Sequence, residues 1–308
     1  MTRAVQRRRR ARGLLLRRCA WLAVCVLALS ADAPARQAGA FAGNLFAPAL
    51  RQPRQQATPT PTPPEEDEPE IKPSRPGVAN PAEIPEPGVL QLEIGYDSNF
   101  RSDEFRSEHS MPVTLRYAAA KRLLLHLDFD AVISQTDEAT RERSTGFGDT
   151  RVGFQVVALE DAPGRPALAF AYFAKLPTAD EAEGLGTGRF DHKVVGLLSK
   201  KVGETDVDFN AAYLLVGREG GPGWEHGGQA AVSVSRDFKN RFGFEAELSG
   251  QSKDDVQPRG LFALGALRYT ANKRLVFDAG ARFGLNPEAP RVGLFAGMSV
   301  GLTRPSGR

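Results

Sequence analysis

From Gly88 onward the chain alternates apolar and polar residues with a period of two, and that periodicity constrains its fold more than any other feature. Leu90, Leu92, Ile94 and Tyr96 interleave with Gln91, Glu93 and Gly95. Met111, Val113, Leu115 and Tyr117 interleave with Pro112, Thr114 and Arg116. Leu123, Leu125, Leu127, Phe129, Ala131 and Ile133 interleave with His126, Asp128, Asp130 and Ser134. A helix would repeat its apolar residues at i, i+3 and i+4, whereas a strand sends alternate side chains to opposite faces. Continued to the C-terminus, the pattern gives twelve strands, the later ones near 148–159, 167–176, 190–199, 205–216, 228–236, 242–251, 260–270, 274–285 and 291–303. The runs at 190–199 and 260–270 alternate less cleanly, and their facing stays open.

The connections alternate too. Long ones fall at 97–110, 136–147, 177–189, 217–227, 252–259 and 286–290, and short ones at 118–122, 160–166, 200–204, 237–241 and 271–273. That is the connectivity of an up-and-down antiparallel barrel. A soluble sandwich and a membrane barrel share the alternation but invert its meaning: in the membrane the apolar face meets lipid and the polar face lines a lumen. Strands near ten residues, an even strand count and Tyr96, Tyr117 and Tyr269 near strand ends favour the membrane. Lipid tolerates no open sheet edge, so the barrel must close. With twelve strands both termini share one side, and the short turns mark it as periplasmic.

What precedes the strands agrees with export. Arg7–Arg10, Arg12, Arg17 and Arg18 lead into an apolar run from Cys19 to Leu29, with small-residue cleavage candidates at Ala33-Pro-Ala35 and Ala38-Gly-Ala40. The run is too short to span a bilayer, so residues 1–40 read as a removed signal. Both cysteines lie within it, which leaves neither a disulfide nor a thiolate metal site downstream. Residues 1–40 carry nine Arg against one Asp, so their removal takes the formal charge from +3 to −5. The basic balance belongs to the signal and gives no case for nucleic-acid binding. Residues 41–87 read as a disordered, Pro-rich periplasmic spacer: eleven prolines lie between Pro53 and Pro87, with an acidic run at Glu65–Glu70. The barrel takes 88–308.

Several short motifs resemble one known family. Gly146-Phe-Gly-Asp149 followed by Arg151-Val-Gly-Phe-Gln155 resembles the G-x-G-D strand of the family named for a meta-pathway of phenol degradation. Ala167 to Pro177-Thr178, Gly184-Leu-Gly-Thr-Gly188 with Asp191, Leu198-Ser-Lys200 and Asp206 to Tyr213 continue that likeness over roughly residues 88–303. It implies an outer-membrane barrel of transporter type. The family name records an association with aromatic-degradation operons, not a reaction. One departure is the C-terminus, Leu302-Thr-Arg-Pro-Ser-Gly-Arg308, which lacks the terminal aromatic residue read by the assembly machinery.

Candidate lumen and selectivity residues are the charged groups on the polar faces: Arg116, His126, Asp128, Asp130, Asp149, Arg151, Lys175, Asp208, Glu245, Glu247, Asp278 and Arg282. Such mixed charge either cross-links a narrow interior or gives a channel weak selectivity. His126, Asp128 and Asp130 share a strand face and suggest a cation site, but an ordinary hydrated lining is favoured because no metal-ligand spacing supports the site. Leu124, Val132, Val157, Phe173, Leu214 and Phe295 are candidates for an apolar path. The glycine clusters 184–188 and 217–223 precede no helix, so they read as loops rather than phosphate cradles. Asp149 and Arg151 read as a luminal ion pair. Of the four histidines only His126 sits clearly mid-strand, facing the lumen rather than lipid, and the chain reads as non-enzymatic and cofactor-free. Its expected partners are outer-membrane lipid, the assembly machinery and a small solute. The leading function is passive passage of small aromatic or apolar solutes, and the alternative is a non-conducting structural or adhesion barrel.

Overall fold

The computed structural model describes residues 70–102, 105–218, 221–254 and 258–303. The expected signal at 1–40 and positions 41–69 of the expected spacer lie outside them. Thirteen strands follow in order: β1 (Leu90–Phe100), β2 (Phe105–Ala120), β3 (Leu123–Asp137), β4 (Arg143–Gly146), β5 (Thr150–Leu159), β6 (Ala167–Leu176), β7 (Asp191–Val202), β8 (Thr205–Gly217), β9 (Trp224–Asp237), β10 (Phe242–Gln251), β11 (Gly260–Asn272), β12 (Leu275–Gly284) and β13 (Val292–Gly301). Every ladder is antiparallel between neighbours, and β1 pairs with β13 while β2 pairs with β3. The sheet therefore closes on itself as a twelve-stranded barrel, with β4 a short spur paired to the upper part of β3 alone.

Which face is inside follows from burial. Gln91, Glu93 and Arg116 are 0–1% exposed, whereas Leu267 is 64%, Leu294 53% and Phe170 52% exposed. Polar groups inside and apolar groups outside is the arrangement that lipid demands and water would oppose. Aromatic residues band the outside at both ends of the strands. Tyr96 donates to or accepts from His109 at 3.0 Å and Tyr172 pairs with His192 at 2.7 Å near the long-loop end, while Phe242 packs on Tyr269 at 5.0 Å near the short-turn end. Tyr172, which looks mid-strand in the sequence, thus joins the band by stacking on the next strand.

Two expected loops are partly sheet. Residues 97–100 pair with 107–110, and 133–136 pair with 143–146, so these hairpins extend past the apolar band. Beyond the hydrocarbon both faces of a strand meet water, and the alternation that signals a strand disappears. A register shift between Ser110 and Pro112 against β3 also swaps the facing of the upper part of β3. Val132 is consequently 41% exposed, not luminal, while Ile133 turns in to line the cavity.

The largest correction concerns the spacer. Residues 70–87, expected to be disordered spacer, run inside the barrel. They touch inward side chains of β1, β5, β7, β8, β10 and β12, strands all round the wall, which only a segment within the lumen can do.

Candidate functional site

A series of hydrogen bonds to the wall seats the luminal segment. Ile71 N–H donates to the Lys273 carbonyl in the β11–β12 turn at 3.0 Å. The Lys72 amide donates to Gln91 at 3.1 Å, and Ser74 and Arg75 amides donate to Glu93 at 2.9 and 3.1 Å. Farther along, Val78 and Ala79 amides both donate to Glu247 Oε2, at 2.6 and 2.7 Å. Asn210 donates to the Asn80 carbonyl at 3.1 Å, and Gln155 donates to the carbonyls of Pro81 and Ala82 at 3.1 Å. Ala82 N–H donates to Ser199 at 2.7 Å, and Gly88 N–H donates to Ala118 at 2.8 Å. A buried backbone needs partners for every amide. Pro73, Pro76, Pro81, Pro85 and Pro87 have no amide to satisfy, so a Pro-rich segment can cross a lumen without secondary structure.

Space for the segment is written into the wall. Ala167, Ala169 and Ala171 of β6 face inward and, with Val195 and Leu197 of β7, form an apolar seat for Ala82, which is fully buried. On the opposite wall the Arg75 guanidinium fills the room left by Gly95, where a Cβ would come within 2.2 Å of it. There it lies 3.3 Å from Asp278 and 3.4 Å from Asp97. Both ends of the segment lie near the short turns, at the β11–β12 turn and at β1, and Arg75 reaches up the wall as far as Asp97.

Toward the long loops a cavity of about 400 Å³ remains. Phe129, Asp130, Arg151, Phe173, Leu185 and Arg282 are among its lining residues. Arg151 donates to Asp128 at 2.9 Å and its guanidinium carbon lies 4.8 Å from the centre of the Phe173 ring. His126 packs edge-on against the same ring at 5.3 Å, and Arg282 lies 5.9 Å from that of Phe295. On the far side the connection from Pro177 to Phe190 contributes its Gly184–Thr187 stretch to the lining, with Leu185 only 6% exposed.

All twelve candidate residues lie on the luminal side, but they form separate groups. Arg116, 0% exposed, lies 3.3 Å from Glu93 and donates to the Lys72 carbonyl, so it supports the luminal segment rather than the open cavity. Glu245 lies 3.8 Å from Arg268, Glu247 holds the segment, Asp278 holds Arg75, and Asp208 accepts from Ser199. Lys175 pairs with Asp149 at 3.2 Å and with Asp191 at 2.5 Å. Asp149 and Arg151, expected as partners, instead pair with Lys175 and Asp128 respectively. Of the expected apolar path, Leu124, Val157, Phe173, Leu214 and Phe295 are buried and luminal. The suggested cation face does not converge, because Asp128 is taken by Arg151 and His126 by Phe173.

The motif glycines have a steric role. A Cβ at Gly146 would stand 2.7 Å from Leu185, and one at Gly148 would stand 2.7 Å from the Asp130 Cβ. Thr178, next to Pro177, donates to the Gly148 carbonyl at 3.1 Å. The motif is thus the seat of the inward-folded connection.

Arg75, Asp97 and Arg268 escaped the sequence reading, and Asp191 entered it only through the family likeness. Asp97 continues the inward series Glu93, Gly95, and Arg268 stands opposite Asp278 across β11–β12, so both had a period-2 signal. Arg75 had none. The fold also brings Ser98 within 2.9 Å of His109 Nδ1. That nitrogen is shared with Tyr96, and Ser98 is 5% exposed.

Among solved structures the fold is similar to an outer-membrane channel from Pseudomonas putida F1, at 14% identity and a TM-score of 0.57, covering 74% of this chain and 99% of that one. The KdgM porin in complex with disordered oligogalacturonate (8% identity, TM-score 0.45) covers 69% and 99%, and the NanC porin (9%, 0.45) covers 70% and 99%. No curated protein matches the chain. Residues 73–302, most of the luminal segment included, match the model described as "MetA-pathway of phenol degradation", and the chain belongs to that family.

Proposed function

We propose that the protein is a passive outer-membrane conduit for small aromatic or apolar solutes, with its termini and short turns on the periplasmic side after removal of residues 1–40. The observation that carries the reading is the cavity of about 400 Å³ between the luminal segment and the inward connection. An apolar cavity of about 150 Å³ already holds a benzene ring. Here Phe173 and Leu185 supply apolar walls, and Asp130 and Arg282 supply points that a hydroxyl can bond. The paired charges favour a neutral solute over an ion, because Arg75, Arg151 and Lys175 each already face a carboxylate. Both barriers to passage are chain segments held by non-covalent contacts, so passage requires displacement rather than a standing pore. The family's association with phenol degradation agrees in the class of solute. No cofactor and no enzymatic step enter this reading; lipid and the assembly machinery are the other partners.

The test is uptake of a phenolic solute into liposomes carrying the refolded protein. Accelerated entry of phenol, with sugars of similar size excluded, is the expected result. If neither solute enters faster than through bare lipid, the conduit reading fails and a structural or adhesion barrel replaces it.

A further inference from the structure

The buried cluster at the mouth of β6 has a task beyond lining. We propose that Lys175 is a latch that keeps the connection between β6 and β7 folded into the lumen and so sets the width of the path; it is a positioning residue, and its effect on passage rests on the conduit reading.

Lys175 is 3% exposed, and its ammonium meets three oxygens: Asp149 at 3.2 Å, Asp191 at 2.5 Å and the Thr187 hydroxyl at 2.6 Å. The ammonium donates to Thr187 and lies within ion-pair distance of both carboxylates. Thr187 belongs to the inward connection itself. The other oxygen of Asp149 accepts the Ala179 amide at 3.1 Å, at the start of the same connection. Asp191 Oδ1 accepts the Gly217 amide at 2.8 Å, from the end of β8. One cation therefore joins β5, β6 and β7 to both ends of the folded-in segment.

The segment between those ties is built to be held as a unit. Leu185 N–H donates to Asp180 at 3.1 Å and Gly184 N–H to Glu181 at 3.0 Å, while Gly184 and Gly188 adopt φ of +70° and +64°. These are left-handed values that glycine takes without strain. Leu185 seats over Gly146, and Ser144 donates to Glu183 at 3.2 Å. The remaining question is what stops this compact turn from swinging out into water. Without Lys175, Asp149 and Asp191 would face each other in a dry site, and the nearest relief is for the segment to move and admit solvent.

Leu185→Cys provides a reporter, since the chain's own cysteines, Cys19 and Cys25, precede the barrel. Labelling with a membrane-impermeant maleimide is measured in barrels that still show heat-modifiable migration. Lys175→Met is expected to speed labelling by about tenfold or more, the effect of losing roughly one such bonded contact. Lys175→Arg should label near the native rate. Thr187→Val, which spares every wall charge, should move in the same direction as Lys175→Met. Equal labelling rates with and without the Lys175→Met substitution, or no effect of Thr187→Val, overturn the latch. Conductance is then compared with and without residues 180–187: Lys175→Met should raise it only when those residues are present. A rise that persists without them means that Lys175 acts as a luminal charge, and overturns the positioning role. Labelling needs no conduction, so faster labelling in a barrel that never passes solute leaves the latch standing and removes the conduit.

Discussion

Replacing Arg75 with Gln tests how firmly the luminal segment is seated. The native guanidinium lies 3.4 Å from Asp97 and 3.3 Å from Asp278, and it also reaches the Ala296 carbonyl at 3.5 Å. A hydrogen bond to a charged group contributes about 1.5–3 kcal/mol net. These contacts are longer than ideal, and Asp97 is 21% exposed, so each ion pair belongs at the low end of that range. Two such pairs amount to about 3 kcal/mol, and at roughly 1.4 kcal/mol per decade the displaced form gains about a hundredfold over the seated one. Single-channel recording reads this as time spent at a higher conductance level. Gly95→Ala supplies an independent arm that leaves the segment's sequence untouched: its methyl would come within 2.2 Å of the same guanidinium and should push in the same direction. Unchanged open fractions for both variants, in barrels that remain heat-modifiable, would refute the inference that these contacts hold the segment in place.

Three further outcomes follow from packing. Ala169→Leu should crowd Ala82, since both are fully buried in one cluster, at a cost of about 1–3 kcal/mol; limited treatment with a glutamate-specific protease should then cut after Glu83, next to Ala82, faster than in the native chain, and equal protection would count against the seat. Leu267→Arg places a charge on an outward position that is 64% exposed. It should lower stability in vesicles by about 2–4 kcal/mol if the position lies near mid-bilayer, read as the urea midpoint; no shift would mean that this face does not meet lipid. Gly148→Val should lower the temperature of heat-modification, because its Cβ would stand 2.7 Å from that of Asp130; a native-like temperature would show that the G-x-G-D motif is not sterically required.

The barrel was legible because each wall strand separates a lipid face from a luminal one, and period two is the direct imprint of that separation. It was least legible at 190–199 and 260–270. There the inward face is itself apolar: Val195 and Leu197 pack against Ala82, and Leu264 and Ala266 pack with Phe295. Both faces then look alike in the sequence. The luminal segment was invisible for a related reason. Its proline content, which reads as a solvated spacer, equally suits a backbone that must run through a confined space with few amides to satisfy. No local pattern distinguishes the two; the distinguishing residues are on the wall, in the inward alanines of β6 and in Gly95, Glu93 and Glu247. The charged candidates were found as a set because they share a face, but their pairing was not. Pairing depends on register across strands, as with Arg151 opposite both Asp128 and Lys175, and register is set by turns and bulges remote from the pair.

The conduit with a displaceable luminal segment is tested most directly by single-channel recording of the barrel with and without residues 70–87. The native chain should show little steady conductance with brief excursions, and the shortened one a large, persistent conductance together with loss of discrimination between phenol and sugars. A shortened barrel that still migrates as a folded, heat-modifiable species yet conducts no better than the native chain would contradict it.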